Sequence, residues 1–273
     1  MEKKELRKIS WKELEMILEK HRPWHATAGK EGERADLSYT DLKYADLTNA
    51  ILWGSDLYRA NLEGANLYHA NLRFANLRDT NLKGADLSSA KLRCADLTGA
   101  NLADADLRYA NLIVADLTGA DLEGVNLLGA DLAGANLRGA NLEGVNLWLA
   151  NLQNTDLTDV KNFPNLPMAC PETGSFISWK HAGGYIVKLE IPADAKRSSG
   201  TGMKCRCNKA RVLSIETLGG TSADVTEVCS DYDSDFWYRV GETVIVDDFD
   251  DNRFNECAPG IHFFMDRDRA VRY

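Results

Sequence analysis

Cysteine and histidine are the side chains of this sequence best suited to bind a metal ion. The residues concerned are Cys170, Cys205, Cys207, Cys229, Cys257, His181 and His262. Zinc sites usually contain cysteines separated by two residues, and the Cys205-Arg206-Cys207 pair departs from that spacing. Scattered cysteines also behave as small buried hydrophobes. We therefore expect no metal site and no cofactor, with a zinc site as the alternative.

Acidic side chains recur at short spacing near the end of the chain. Asp231, Asp233 and Asp235 alternate with other residues, and a second acidic run covers residues 247–251. Alternating carboxylates can bind Ca²⁺, but the glycine and glutamate that an EF-hand loop requires are missing. Solvated loops are the simpler explanation. The sequence also shows no Ser/His/Asp motif, Walker loop or dinucleotide loop, so we expect no catalytic residue.

The element that must position any functional surface is a repeat of five residues. Leucine recurs every five positions from Leu37 to Leu157, in 25 consecutive units. A small residue, mostly Ala, lies two positions before each leucine, and Asp or Asn directly precedes it in 23 units. A period of five fits neither an α-helix nor a flat strand. It predicts a solenoid with the leucine and the small residue inside and the other three positions facing water.

The last position of each unit predicts a corner of the coil. Gly occupies it in every unit from Gly119 to Gly144, whereas most earlier units carry larger residues there. Glycine is favoured where a turn requires a positive φ. We therefore expect the turn type to change along the solenoid.

This repeat resembles that of the pentapeptide-repeat proteins. Residues 35–159 follow the family pattern Ala-(Asp/Asn)-Leu-x-x, as in Ala-Asp-Leu-Thr-Asn at residues 45–49. The resemblance implies a mainly β fold, a right-handed quadrilateral β-helix with four units per coil. Just over six coils, stacked about 4.8 Å apart, would form a shaft of about 30 Å.

The segment before the repeat, residues 1–34, predicts an N-terminal helical cap. Apolar residues recur near helical spacing over residues 3–22, Ser10 and Glu13 can form a capping box, and Pro23 would end the helix. The first coil of a β-helix exposes apolar side chains and unpaired backbone groups. We expect the helix and Trp24 to cover them; a partner-binding amphipathic helix is the alternative.

The pattern changes beyond the β-helix of residues 35–160. Residues 161–171 contain three prolines and predict a linker, and residues 172–273 predict a small C-terminal α+β or mostly-β domain. Its predicted strands and final helix are residues 184–191, 210–218, 235–246, 260–265 and 266–272. The segments 174–180, 186–192 and 259–264 resemble a C-terminal domain of unknown function that follows pentapeptide repeats in phage and bacterial proteins.

One short segment resembles an enzyme family. Residues 260–263 read Gly-Ile-His-Phe and, with Ala270 and Tyr273, are similar to the Gly-Ile-Tyr-Phe…Tyr stretch of ADP-ribosyltransferases. That family carries a catalytic Glu on a strand after this stretch, and no Glu follows it here. We therefore expect no enzyme, with a degenerate ADP-ribosyltransferase-like activity in residues 172–273 as an alternative.

Composition restricts the class of protein. The 273 residues suffice for two domains, and a net charge of −9 opposes direct, non-specific nucleic-acid binding. No apolar run approaches the roughly 18 residues of a membrane span, and residues 1–5 begin no signal peptide. Six irregularly spaced cysteines do not resemble a disulfide framework. We expect a cytoplasmic protein with free thiols and no membrane partner.

When the units are assigned to the four sides of the coil, the acidic residues and the large apolar residues fall on different sides. The sides that begin at Leu37 and Leu42 together carry 13 acidic and five basic residues, whereas the other two sides balance. The balanced sides also carry most of the outward apolar residues, where the C-terminal domain, a protein partner or a second copy should dock. The candidate partner-binding residues are Trp53, Tyr68, Phe74, Tyr109, Leu128 and Trp148, with Asp36, Asp56, Asp96 and Asp116 on the acidic half.

These patterns predict a non-enzymatic protein-interaction scaffold, a rigid β-helical shaft that presents a C-terminal recognition domain. The partner is a protein that the sequence does not identify. The family resemblance implies one alternative, since some pentapeptide-repeat proteins mimic DNA and bind DNA gyrase in its place. Duplex DNA of about 30 Å carries about 18 charges, whereas the net charge of the predicted shaft is −8, so we rank DNA mimicry second.

Overall fold

A computed structural model describes residues 5–166, 168–255 and 258–273. The chain divides into two compact units, an N-terminal unit of residues Met1–Asn165 and a C-terminal unit of residues Leu166–Tyr273. Cys257, one of the possible metal ligands, lies outside the described residues.

Residues 20 positions apart pair in parallel along the N-terminal unit. The bridges begin with Asp36 and Asp56 and continue to Asn141 and Lys161, so one coil contains four five-residue units. Each leucine N–H donates to the next coil, as Leu97 does to the carbonyl of Asp116 at 2.7 Å. The N–H of Asp116 in turn donates to the carbonyl of Ala95 at 3.0 Å. Because every coil pairs with its neighbours in this way, the five-residue pattern cannot slip. The result is a β-helix.

Leucine and alanine fill the interior of the β-helix, as predicted. The leucines from Leu37 to Leu152 are buried, and burying one leucine stabilises a fold by about 1.5–3 kcal/mol. The small interior position also holds hydroxyl residues whose oxygens are satisfied locally. The Ser55 hydroxyl donates to the carbonyl of Leu52 at 2.8 Å, and the Thr80 hydroxyl donates to that of Leu57 at 3.0 Å.

The Asp or Asn before each leucine has a structural role that the sequence analysis missed. In Asp96, Oδ1 accepts hydrogen bonds from the Thr98 backbone N–H at 3.0 Å and the Thr98 hydroxyl at 2.6 Å. An Asn at this position can also reach the preceding coil, as Asn61 Nδ2 does to Asp41 Oδ1 at 3.0 Å. Such side chains hold the following turn closed. The position before the leucine faces outward as predicted, but its side chain bonds within the coil rather than only to water.

Every corner of the β-helix has the same backbone conformation, with one residue in the left-handed region. The last residue of each unit has a positive φ, from Tyr39 at 51° to Asp159 at 56°, including Val114 at 57°. A hydrogen bond closes each turn, as between the Ala45 N–H and the Leu42 carbonyl at 3.0 Å. A positive φ at the third turn residue is what a type II turn requires. The expected change of turn type is wrong, because pairing with neighbouring coils imposes one conformation even on residues that disfavour it.

The N-terminal helix differs from its prediction at both ends. Arg7–Lys8 form strand β1, which pairs in parallel with strand β2, Thr40–Asp41. Helix α1 spans Trp11–Ala26 and begins at Ser10, whose side chain forms the predicted capping box with Glu13. Pro23 does not end the helix but lies within it, since proline near a helix end removes only one backbone hydrogen bond.

Helix α1 packs its last turns against the first coils. The fully buried His21 accepts a hydrogen bond at Nδ1 from the Ala35 N–H at 3.1 Å and stacks on Trp24, with ring centroids 5.2 Å apart. Trp24 in turn lies 5.8 Å from Trp53, centroid to centroid. The aromatic side chains of α1 and of the first coil thus form one cluster.

The C-terminal unit is built on a seven-stranded antiparallel sheet. The strand order is β10-β7-β4-β3-β11-β6-β5, and a separate hairpin pairs β8 with β9. The strands are β3 Phe176–Ala182, β4 Tyr185–Ile191, β5 Arg197–Ser199, β6 Lys204–Cys207, β7 Lys209–Glu216, β8 Glu227–Cys229, β9 Trp237–Arg239, β10 Thr243–Ile245 and β11 Ile261–Phe264. Helix α2, Arg267–Arg272, follows β11, and the Asp266 side chain caps its start.

The predicted strands of this unit are found in part. The runs 184–191, 210–218 and 260–265 correspond to β4, β7 and β11. The single strand over residues 235–246 is wrong, because Gly241, with φ 88°, lies in the turn that separates β9 from β10. Strands β3, β5, β6 and β8 were not predicted. Gly183 and Gly184 join β3 to β4 with positive φ at both positions, as a two-residue hairpin turn requires.

Candidate functional site

A cavity of about 790 Å³ lies in the C-terminal unit. It opens where the sheet separates, since β11 pairs with β3 at a single position, Phe264 opposite Trp179. Beyond that pair, β3 continues to Ala182 and β11 runs back to Ile261 without pairing with each other. Side chains that follow the pair on either strand line the opening, among them Lys180 on β3 and His262 on β11. The divergence of two strands therefore produces the cavity.

Lys180 lies at the floor of the cavity with its side chain directed into the core. The residue is 6% exposed, and its ammonium lies 5.6 Å from the centroid of the Tyr238 ring. Burial lowers the pKa of Lys180 to about 8, and the charge of Lys204 contributes to the shift. Among the described residues, Lys180 has neither a hydrogen-bond partner nor an ion-pair partner. A buried ammonium without a counter-ion is costly and is a common feature of functional sites.

The carboxylate with the strongest influence on Lys180 makes its contacts with other groups. Asp231 attracts the Lys180 charge, but Asp231 Oδ2 lies 3.2 Å from Nδ1 of His181. Its other oxygen, Oδ1, accepts a hydrogen bond from the Gly183 N–H at 2.8 Å. Asp231 thus fastens the β8–β9 loop to the β3–β4 hairpin, and its charge offsets only part of the cost of burying Lys180.

Aromatic rings and a second lysine also line the cavity. Lys204 Nζ donates a hydrogen bond to the Tyr273 hydroxyl at 3.3 Å, and the Tyr273 ring lies 5.1 Å from that of Phe264. Tyr238 and Phe264 are buried. The lining of the cavity therefore combines aromatic rings with two ammonium groups, one buried at Lys180 and one half-buried at Lys204.

The rim of the cavity has the opposite charge. Asp233, Asp247 and Asp248 are exposed there. Two large apolar side chains lie beside them, Tyr232 at 77% exposed and Ile245 at 57% exposed. We call this set of five residues the rim.

The apolar candidates on the β-helix differ in their surroundings. Trp53 is half-buried between Trp24 and Phe74, whose ring centroids lie 5.8 and 5.6 Å from its own. The other candidates remain on the outside, where Leu128 is half-buried and the rest are exposed: Tyr68, Phe74, Tyr109 and Trp148. The Tyr109 ring lies over Gly129, where an added Cβ would be 2.8 Å from the ring. A side chain at position 129 would therefore displace Tyr109.

The acidic candidates on the β-helix all use one carboxylate oxygen in their own turns. Oδ1 accepts the backbone N–H two residues later at 2.9–3.0 Å in all four: Asp36, Asp56, Asp96 and Asp116. Bases on the same sides pair with acids, as Arg59 does with Asp79 at 3.0 Å. Arg78 lies 3.6 Å from Asp96. These carboxylates stabilise the coil, and part of their charge is neutralised locally.

The cysteines that could bind zinc lie in the core of the C-terminal unit. Cys170, Cys205 and Cys207 are buried. The hydrogen bond with Cys170 and burial raise the pKa of Cys205, and burial raises that of Cys207 to about 12. Within the described ranges, no three His, Cys, Asp or Glu side chains group as metal ligands would.

The sequence analysis did not identify Lys180, and the strand carried no signal for it. Along β3 the buried positions are Ser178, Lys180 and Ala182, which alternate with half-buried residues. A lysine at the inward position of a strand is unusual, because lysine is almost never fully buried. The sequence alternation predicts the opposite orientation, since Ile177 and Trp179 form the more apolar face of this segment.

Two family models match the chain. Pentapeptide repeats match in overlapping stretches that together span residues 29–159, in eight copies. A family of unknown function, DUF5758, matches residues 166–270. No curated protein sequence matches the chain. In the described part of the chain, no helix is both long and apolar enough to cross a membrane.

The chain is similar to several solved pentapeptide-repeat structures. Rfr23 from the cyanobacterium Cyanothece 51142 is 44% identical over 40% of this chain and 61% of its own, with a TM-score of 0.24. The chain thus spans less than two thirds of Rfr23. HetL of Nostoc sp. strain PCC 7120, involved in heterocyst differentiation regulation, is 38% identical over 46% of this chain and 73% of HetL, with a TM-score of 0.18. QnrB1, a plasmid-mediated fluoroquinolone resistance protein, is 19% identical over 48% of this chain and 76% of QnrB1, with a TM-score of 0.23.

Proposed function

Since the chain belongs to the pentapeptide-repeat proteins and its residues 166–270 to the DUF5758 family, we propose that it is a non-enzymatic protein-binding scaffold. The β-helix is the rigid support, and the C-terminal unit recognises a protein partner. The β-helix in this proposal is right-handed and four-sided, with α1 covering its first end through His21 and Trp24.

The rim is the observation that carries this proposal. Exposed Tyr232 and Ile245 lie beside Asp247 and Asp248 at the mouth of one cavity. Exposed aromatic and aliphatic side chains next to a pocket are typical of binding hot spots. The three acidic residues of the rim favour a partner that presents a basic side chain. We therefore expect an apolar, basic segment of the partner to bind here.

The β-helix supports a structural role for the N-terminal unit. Its leucines are buried, and its Asp and Asn side chains close their own turns. Coils that pair on both sides make a stiff element, because each backbone group is already bonded to a neighbour. Its exposed Tyr109 and Trp148 are the surface on which a second copy or a different partner would bind instead.

Free thiols support a reducing location. Five described cysteines are unpaired: Cys94, Cys170, Cys205, Cys207 and Cys229. Disulfides form readily in oxidising compartments and are rare in the cytosol. A cytoplasmic location is part of the proposal.

Paired variants of the full chain test which surface binds. Tyr232→Ser with Ile245→Ser alters the rim, and Tyr109→Ser with Trp148→Ser is the matched change on the β-helix. Both pairs replace exposed side chains, so the fold should persist. In affinity capture from the source organism, the rim variant should lose the partner that the wild-type protein retains. Loss with the β-helix variant alone would refute the proposal.

A DNA mimic directed at DNA gyrase is the second candidate function. Its support is the acid excess on two sides of the β-helix, 13 acidic against five basic residues. The protein would then inhibit gyrase supercoiling. The test changes Asp36, Asp56, Asp96 and Asp116 to Asn, because asparagine keeps the oxygen that closes each turn and removes the charge. Inhibition that disappears with these changes supports mimicry, and no inhibition by the wild-type protein eliminates it.

A further inference from the structure

We propose that the floor of the C-terminal cavity binds a small organic anion with an apolar body, and that Lys180 is its counter-ion. The ligand class is defined by a carboxylate, sulfonate or phosphate group attached to an aromatic or aliphatic skeleton. The proposal goes beyond protein binding at the rim, because it concerns the interior of the cavity and requires no partner.

The first argument is the missing counter-charge. Lys180 is 6% exposed and unpaired among the described residues. The carboxylate that influences it most, Asp231, is held by His181 and Gly183. Burying an ammonium without a partner costs several kcal/mol, and an anion that enters the cavity would offset this cost. Within the described part of the chain, Lys180 therefore lacks what an anionic ligand would supply.

The second argument is the separation of charge within the cavity. Lys204, which is half-buried, also lines the cavity, and it donates a hydrogen bond to the Tyr273 hydroxyl rather than to a carboxylate. The acidic residues that line the cavity are exposed at the rim. Inside a low-dielectric cavity, the electrostatic potential is determined mainly by the nearest charges. The floor is therefore electropositive and selects anions that can pass the rim.

The third argument is the size and lining of the cavity. About 790 Å³ lies within the range of small-molecule sites, which are mostly apolar with a few polar groups. Tyr238, Phe264 and Phe236 supply aromatic walls. An inorganic ion would leave these walls unused, whereas an apolar skeleton would cover them. A small organic anion matches both the floor and the walls.

Two related fluorescent probes test the proposal on the full chain. The anion 8-anilinonaphthalene-1-sulfonate carries an apolar ring system with a sulfonate, and N-phenyl-1-naphthylamine is nearly the same skeleton without the charge. The wild-type protein should bind the sulfonate roughly tenfold more tightly than the neutral probe, since a charge-assisted hydrogen bond contributes about 1.5–3 kcal/mol. This comparison requires no variant.

Lys180→Met tests the residue itself, because methionine keeps the length of the side chain and removes the charge. Binding of the sulfonate should weaken roughly tenfold or more, while the neutral probe is unaffected. Lys188→Met is the matched control, since Lys188 lies on neighbouring β4 and does not line the cavity. Near-ultraviolet circular dichroism of each variant checks that its packing is intact.

The outcomes separate this proposal from protein binding at the rim. Equal affinity of the wild-type protein for both probes, or unchanged sulfonate binding by Lys180→Met, would overturn the proposal. A loss with Lys188→Met of the same size would also overturn it, because the effect would then not be local to the cavity. None of these results bears on partner capture, which uses Tyr232 and Ile245.

Discussion

Lys180→Met should stabilise the protein near neutral pH. The pKa of this lysine is about 8 in the folded chain, against 10.5 for the ordinary side chain. Each unit of difference corresponds to about 1.36 kcal/mol, so charging Lys180 costs the folded state about 3 kcal/mol. Native proteins are stable by only about 5–15 kcal/mol, which makes this a large fraction. Methionine removes the charge and retains the volume.

The gain should depend on pH in one direction. Below the folded pKa of about 8, both states are protonated and the folded state carries the full cost. Above the unfolded value of 10.5, both states are neutral and the cost disappears. The advantage of Lys180→Met is therefore complete below about 8 and is lost as the pH rises through 10.5. The groups that influence this titration are Asp231, Lys204 and Cys207.

Scanning calorimetry at several pH values measures the effect. We expect the transition of the C-terminal unit to rise by on the order of 10 °C near neutral pH, relative to wild type. Lys188→Met on β4 should change little, because that side chain is only half-buried. No rise with Lys180→Met, or a rise that persists unchanged above pH 10.5, would refute the assignment of a buried, uncompensated charge.

Three further predictions concern the N-terminal unit. Leu97→Asp should unfold the β-helix because it buries an unpaired charge. Asp96→Asn should change the free energy of unfolding by less than about 0.5 kcal/mol, because the amide oxygen still accepts a hydrogen bond from Thr98. Equal losses for the two variants in circular dichroism melts would contradict the assignment of position 97 to the inside and position 96 to the outside. Val114→Gly should stabilise the β-helix by about 0.5–1 kcal/mol and Gly119→Ala should destabilise it by about 1 kcal/mol, because both positions have a positive φ. Urea titrations measure both changes, and effects of the opposite sign would contradict the turn assignment. Burial lowers the pKa of His21, so the unfolded state binds a proton before the folded state as the pH falls below 6.5, and the protein then loses stability. His21→Asn should remove this loss. A melting temperature that depends on pH in the same way in the variant and the wild type would refute this role of His21.

The β-helix was predictable because its information is local and repeated. A leucine every five residues, from Leu37 to Leu157, has one arrangement that buries all of them. The structure pairs residues 20 apart, which aligns these leucines from coil to coil. The boundary of α1 was less accessible, because Pro23 near a helix end is tolerated and β1 pairs with the distant β2.

The role of the Asp/Asn position was missed for a physical reason. Asp96 and Asn61 look interchangeable with other polar residues when only exposure is considered. Their hydrogen bonds to Thr98 and to Asp41 become visible only once the turn and the neighbouring coil are in place. The same coil-to-coil pairing overrides local preference at Val114, a β-branched residue with a φ of 57°.

The candidate site depends on pairing between distant strands, which periodicity does not report. β3 and β11 are far apart in the chain and meet at Trp179 and Phe264. Whether they diverge after that pair decides whether Lys180 faces a cavity or a packed core. The acidic run at residues 247–251 and the alternating aspartates at residues 231–235 were noticed in the sequence, but the common position of Asp233, Asp247 and Asp248 on the rim was not predictable.

Site-specific photo-crosslinking of the full chain tests the division of roles most directly. A benzophenone amino acid replaces Tyr232 at the rim or, in a matched variant, Tyr109 on the β-helix, which is also exposed. Irradiation in the source organism should crosslink a protein partner from position 232 and none from position 109. Crosslinks from position 109 with none from position 232 would contradict recognition by the C-terminal unit.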